Sequence, residues 1–164
     1  RLPRVSILQP GVGVGGHCIA VDPYFLVNGN KEITKLIQTS REVNSYKPKW
    51  VAQKIISSAS KLDDQEIKIG LFGMSFKPNI DDLRESPSFI VAKEISKLNY
   101  SFVCVEPNVD KIDGYRLVSM EEALEECNLL VFLVAHDNFK QNDFLQRAKR
   151  REYLDFCGIV NDKE

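Results

Sequence analysis

The apolar positions change rhythm along the chain. Residues 1–30 show no sustained period: an extended lead, "RLPRVSIL", then a glycine-rich loop, "QPGVGVGGHC", then a short apolar segment, "YFLV", ending at Asn28-Gly29-Asn30. From residue 31 onward Ile33, Leu36, Ile37 and Val43 recur near helical spacing. Pro48 breaks or restarts that pattern, and Trp50, Val51, Ile55 and Ile56 carry it on along one stripe. Two helices, or one kinked helix, are therefore predicted over residues 31–61. "LDDQE" is a polar link and a plausible boundary, dividing the chain into residues 1–61 and 62–164.

Beyond that link, short apolar runs alternate with amphipathic ones. "IKIGLFG", "YSFVCVEP", "NLLVFLVAH" and "EYLDF" read as strands, and "RLVS" as a further short one. "SFIVAKEISKL", "MEEALEEC" and "NDFLQRAKR" read as helices, the first opened by Ser86-Pro87 as cap and first-turn residue. Such alternation predicts an α/β unit: a Rossmann-like parallel sheet with helices on both faces. No internal repeat or low-complexity stretch interrupts it.

Composition adds bounds. The chain has 164 residues, 43% hydrophobic and 27% charged, with a net charge of -1. That charge makes no electrostatic case for nucleic acid or an anionic membrane, and no apolar run approaches bilayer length. No signal-peptide pattern is visible, so a reducing, cytoplasmic setting is expected. The four cysteines, Cys18, Cys104, Cys127 and Cys157, form no CxxC pair, and no metal site is expected. Cys104, in "FVCV", reads as a small buried hydrophobe. The opening lacks an initiator Met and any element to carry it, and so reads as part of something longer.

Two loops carry the candidate chemistry. Gly11, Gly13 and Gly16 spell G-x-G-x-x-G, but Pro10 ends the approach and Pro23 follows too soon for a long helix. No acidic residue closes a second strand at the usual distance, so a dinucleotide fingerprint is disfavoured here. Cys18 lies just past the last glycine. Glycines let backbone turn sharply and approach a ligand, and free N–H groups there can stabilise a thiolate or oxyanion. The alternative is a structural cysteine in a tight turn. Asp22 could face the same site. His17 as a base for Cys18 is less favoured, because adjacent side chains diverge.

The second loop, "GMSFKPNIDDLRESPS", follows the first strand of the α/β unit, where ligands of open α/β sheets bind. Lys77 and Arg84 precede a helix N-terminus, so together they could hold a diphosphate or carboxylate. The competing reading is a solvated loop in which Asp81 or Asp82 pairs with Arg84. Glu106, ending the second strand, stands where a dinucleotide's ribose would be bound, but without a Gly-rich first turn it is a structural echo.

"GVGVGGHCIAVDPYFLV" resembles the catalytic-cysteine loop of the UDP-glucose/GDP-mannose dehydrogenase family, and "FGMSFKPNIDDLRESPS" resembles the signature of that family's C-terminal domain. "SREVNSYKP" is similar to its central helix, and "LVAHDNFK" to a later segment. "GGHCIAVDP" is typical of the branch acting on UDP-N-acetyl-D-mannosamine. The resemblance implies an N-terminal NAD-binding domain and a catalytic Lys–Asn helix upstream of this chain. It also implies a central helical region that makes a homodimer or higher homo-oligomer, and a C-terminal α/β domain that binds the UDP-sugar. It further implies the chemistry: the C6 alcohol is oxidised to an aldehyde, Cys18 adds to it as a thiohemiacetal, and a second oxidation gives a thioester that water hydrolyses. By the same resemblance Asp22 assists the water, while Phe76, Lys77 and Gly15 contact substrate. Arg4 reaches a UDP-sugar in the neighbouring subunit, and Arg84 contacts NAD. Two positions depart from the pattern: Leu2 replaces a histidine, and Cys157 stands where relatives often carry a basic substrate contact.

Overall fold

The computed structural model describes residues 8–63, 66–98 and 100–160. A four-stranded parallel sheet organises the second half. β1 (Lys68–Phe72) lies inside it, between β2 (Ser101–Val105) and β3 (Leu129–Phe132), and β4 (Glu152–Asp155) adds to the far side of β3. Gly70 faces Val103 across one interface and Leu130 across the other, so the strands' C-terminal ends lie together. Each crossover is helical, as parallel pairing requires.

Because side chains alternate across a strand, the sheet feeds two cores. Ile69, Leu71, Cys104, Leu129 and Val131 face one way, onto α2 (Lys35–Ala59) and α3 (Pro87–Ser96). Phe72, Val103, Val105, Leu130 and Phe132 face the other, onto α4 (Met120–Glu126), α5 (Asn142–Ala148) and the 3-10 turn Asp137–Lys140. Helices therefore cover both faces, as the apolar alternation predicts. Phe72, Phe132, Phe139 and Phe144 pack together in the second core.

The sequence left two helices or one kinked helix over residues 31–61, and the structure has one: α2 runs continuously with Pro48 inside it, and burial of Val51, Ala52, Ile55 and Ala59 against the sheet side compensates for the lost hydrogen bond. "YFLV" lies in a short helix, α1 (Asp22–Gly29), in which Pro23 occupies the first turn, where a missing N–H costs nothing. "RLVS" makes a single parallel bridge, Leu117 to Cys104, instead of a strand. Ser119 stops the extension: its hydroxyl accepts from the Glu122 N–H and opens α4. At α3 the predicted cap is present, with the Ser86 hydroxyl accepting from the Ser88 N–H.

Candidate active site

The glycine loop is held from two sides. On one, Asn44 of α2 grips the backbone of Val14: its Oδ1 accepts from the Val14 N–H at 2.8 Å, and its Nδ2 donates to the Val14 carbonyl at 3.0 Å. On the other, the Gly16 N–H donates to the Arg84 carbonyl at 3.2 Å. Glycine is required at positions 15 and 16. A Cβ on Gly15 would sit 2.2 Å from the Glu85 carbonyl oxygen, and one on Gly16, at φ +89°, would sit 2.8 Å from the Phe76 ring. The glycines thus serve close backbone approach between two loops.

Behind them lies a cleft of about 490 Å³. The glycine loop forms one wall, and Ser75, Phe76, Lys77 and Pro78 of the loop after β1 form another. Val134 and Ala135 after β3, Cys157 after β4, and Pro87 and Ser88 at the start of α3 complete it. The cleft therefore opens at the carboxyl ends of the strands, beside a helix N-terminus that favours anions. The Lys77 ammonium stands over the Phe76 ring, 5.6 Å from its centroid.

Of the sequence-predicted residues, the structure gathers Gly15, Phe76 and Lys77 into this cleft. Cys18 is exposed on the turn between two cleft-lining residues, Gly15 and Ile19, and its carbonyl accepts from the Val21 and Asp22 N–H groups. Asp22 itself is exposed at the start of α1 and is not part of the lining. Arg84 lies outside the cleft. Its guanidinium donates to Asp82 at 2.6 and 2.9 Å, the pairing the solvated-loop reading expects, and lies 3.1 Å from His17 Nδ1. Hydrogen bonding to Asp82, and its charge, raise the Arg84 guanidinium further. Hydrogen bonding to Arg84 holds the Asp82 carboxyl down at about 2, which keeps the pair ionised. The His17 ring is oriented by that contact through Nδ1. Arg4 and Leu2 lie outside the described residues.

The four cysteines separate by environment. Burial pushes the Cys104 thiol up to about 12 and Cys127 to about 11. Cys157 lines the cleft, but burial and the neighbouring Asp155 carboxylate raise its thiol too. Cys18 is the exposed thiol of the four.

Sequence reasoning missed Asn44, although "SREVNSYKP" contains it, because its partner lies thirty residues away. It also left Glu106 as an echo. The structure buries Glu106 completely: its Oε2 accepts from the Met74 and Ser75 N–H groups at 2.8 and 2.9 Å and lies 3.1 Å from His136 Nε2. Burial alone would raise this carboxyl, but the bonds from His136, Met74 and Ser75 outweigh it and hold it below its ordinary value. Glu106 is therefore not offered to a ribose, and the turn after β1 carries no glycine cradle. The described residues do not build a dinucleotide site of their own. Nor do they include a cluster of three or more His, Cys, Asp or Glu suited to a metal ion, or a helix long and apolar enough to cross a membrane.

The comparisons with known proteins agree with this geometry. The UDP binding domain of the UDP-glucose/GDP-mannose dehydrogenase family matches residues 70–162, and the family's central domain matches residues 2–46. The chain is 47% identical over 152 residues to the UDP-N-acetyl-D-mannosamine dehydrogenase of Salmonella typhi, covering 85% of this chain and 36% of that protein. It is 42% identical over 168 residues to the NDP-N-acetyl-D-galactosaminuronic acid dehydrogenase of Ralstonia solanacearum, covering 99% of this chain and 39% of that one. The solved structure of the UDP-D-ManNAc dehydrogenase of Pyrococcus horikoshii superposes with a TM-score of 0.81 at 27% identity, over 99% of this chain and 39% of that one. The chain thus spans under two fifths of the length of these relatives. A strand-end cleft faced by a glycine-and-cysteine loop, matched by both domain profiles, makes this chain a member of the UDP-glucose/GDP-mannose dehydrogenase family.

Proposed function

We propose that the protein carrying this chain is an NAD-dependent UDP-N-acetyl-D-mannosamine 6-dehydrogenase that makes the uronic acid for surface polysaccharide precursors in the cytoplasm. Residues 62–164 would form the UDP-sugar-binding unit, and residues 1–61 the end of a central, dimer-forming region with the cysteine loop. The observation that carries the reading is the exposed Cys18 thiol on the turn between Gly15 and Ile19, at the edge of a cleft that also presents Lys77.

In this reading the diphosphate lies against Lys77 and the N-terminus of α3, and Phe76 and the Gly15 backbone confine the nucleotide sugar. Arg4 adds a contact from a neighbouring subunit. Cys18 adds through sulfur to the C6 aldehyde, giving a thiohemiacetal. After oxidation to the thioester, water attacks the acyl carbon with Asp22 assisting, and the thiol is regenerated. NAD, when bound, takes the hydride of each of the two oxidations. Arg84 is the residue of this chain that would contact it, as the family resemblance implies, and the rest of its site would lie elsewhere in the protein.

Two measurements test this. UDP should bind the chain in calorimetry, with binding lost in Lys77→Ala; no detectable binding rejects the nucleotide cleft. In an active protein carrying this chain, Cys18→Ala should abolish uronic acid formation, and unchanged turnover rejects the role of the thiol. A second reading, for the chain by itself, is a UDP-sugar-binding and dimerisation module only. The alternative substrates are UDP-N-acetylglucosamine and UDP-glucose, and the chain also matches a galactosaminuronic acid enzyme at 42% identity. Turnover of each nucleotide sugar in turn decides among them.

A further inference from the structure

Beneath the cleft lies a buried polar cluster that the proposed chemistry does not use. His136, directly after the strand-end residues Val134 and Ala135, is completely buried, and its ring packs edge-on against Phe139 at 5.3 Å. Its Nδ1 lies 3.0 Å from the Asn79 backbone nitrogen, an obligatory donor, so Nδ1 is the bare, accepting nitrogen. The Asn108 amide reaches the same Nδ1 at 2.9 Å. The ring proton is therefore on Nε2, which faces Glu106 Oε2 at 3.1 Å and Ser75 Oγ at 3.2 Å. Ser75 Oγ in turn donates to the Lys77 carbonyl at 2.9 Å. The directions follow from the donors: Nε2–H is shared between Glu106 Oε2 and Ser75 Oγ, Ser75 donates to the Lys77 carbonyl, and the Asn79 N–H donates back to Nδ1. One imidazole thus grips the chain on both sides of Lys77.

The side chains of the loop repeat the arrangement. Asn79, at φ +60°, donates through Nδ2 to Asp137 at 2.8 Å and accepts from the Asp137 N–H at 2.9 Å. Asparagine is one of the few non-glycine residues at ease in that backbone region. Lys77 itself is exposed and has no such anchor. Its place over the cleft is set by the backbone beneath it.

We propose that His136, as the neutral Nε2–H tautomer, is the positioning residue that fixes the Ser75–Asn79 loop and so holds Lys77 and Phe76 over the cleft. Its consequence for ligand binding rests on the nucleotide reading given above. A site residue held within a fraction of an ångström needs such a supporting layer, and a half-satisfied buried cluster would be worse than none.

The test compares three variants of the chain with the unaltered chain. Nitrogen-15 imidazole spectra of the unaltered chain should show His136 with a protonated Nε2 and a bare Nδ1; the opposite tautomer overturns the proposal. His136→Phe removes both polar contacts, and should speed exchange of the Asn79 amide and weaken UDP binding about tenfold, since a buried donor loses its partner. His136→Asn restores an acceptor near Nδ1 and should recover much of both. Phe139→Leu loosens the same packing without touching the clip, and should change neither. Equal losses of UDP affinity in His136→Phe and Phe139→Leu would mean a packing role only and overturn the proposal. Should His136→Phe not fold, the tautomer and the slow Asn79 amide decide. Absence of UDP binding by the unaltered chain would reject the nucleotide reading, leaving the clip to be judged by those two ligand-free measurements.

Discussion

Asn44 shows how much one side chain can contribute to a functional loop. It satisfies both polar groups of the Val14 backbone from a helix that otherwise only passes the site. Truncation to Ala leaves a donor and an acceptor without partners in a half-buried setting, which costs about 1–3 kcal/mol. Asn44→Ala should therefore lower stability by that amount and accelerate exchange of the Val14 amide. An unchanged Val14 exchange rate would show that the grip does not hold the loop. Cys18 was legible from the sequence because chemistry names its residue type. Asn44 was not, since an asparagine in a helical pattern looks like any exposed polar position. Arg84 lay between: the sequence left open whether it binds a ligand or pairs with Asp82, and the structure shows the pairing.

At the scale of elements, α2 links the two halves of the chain. Its first half carries Asn44; its second half buries Val51, Ala52, Ile55 and Ala59 in the same core as Ile69 of β1 and Val91 of α3. Ile55 is completely buried there. Ile55→Ala should cost about 2–5 kcal/mol by lost transfer energy and a residual cavity. Denaturant unfolding should report it, with the β1 and β3 amides losing protection together. A loss below about 0.5 kcal/mol, the range of a surface change, would mean that α2 is not part of this core. The helical stripe of α2 was visible in the sequence, which left open whether it breaks at Pro48; packing against the sheet overrides a local penalty of about 3 kcal/mol and keeps it one helix.

For the whole molecule, the apolar surface divides unevenly. The sheet cores are closed, whereas α1, the first half of α2 and the turn between them leave Phe25 at 73%, Ile33 at 81% and Leu36 at 80% exposure, with Leu26 and Val43 also open. Exposed apolar side chains grouped on two packed helices mark an interaction surface. The homo-oligomer proposed above would cover it. Sedimentation should show the chain as a dimer or larger, and Leu36→Asp should shift it to monomer while thermal stability of the monomeric unit stays the same. A monomeric chain, or a Leu36→Asp chain that remains dimeric, would place the subunit contact elsewhere.

Local rules determined a good part of this protein from sequence alone. Alternating apolar runs specified the parallel α/β unit, Ser86-Pro87 specified where α3 begins, and the cysteine beside three glycines singled out the candidate thiol. These rest on periodicity, capping and residue chemistry, which act over a few neighbouring residues. Tertiary structure decided the rest. It assigned the glycines to contact with Glu85 and Phe76 and set Asn44 against Val14. It also took Glu106 out of ligand reach by joining it to His136, on a strand end thirty residues away. Those choices depend on which strand ends lie side by side, and no local pattern encodes that.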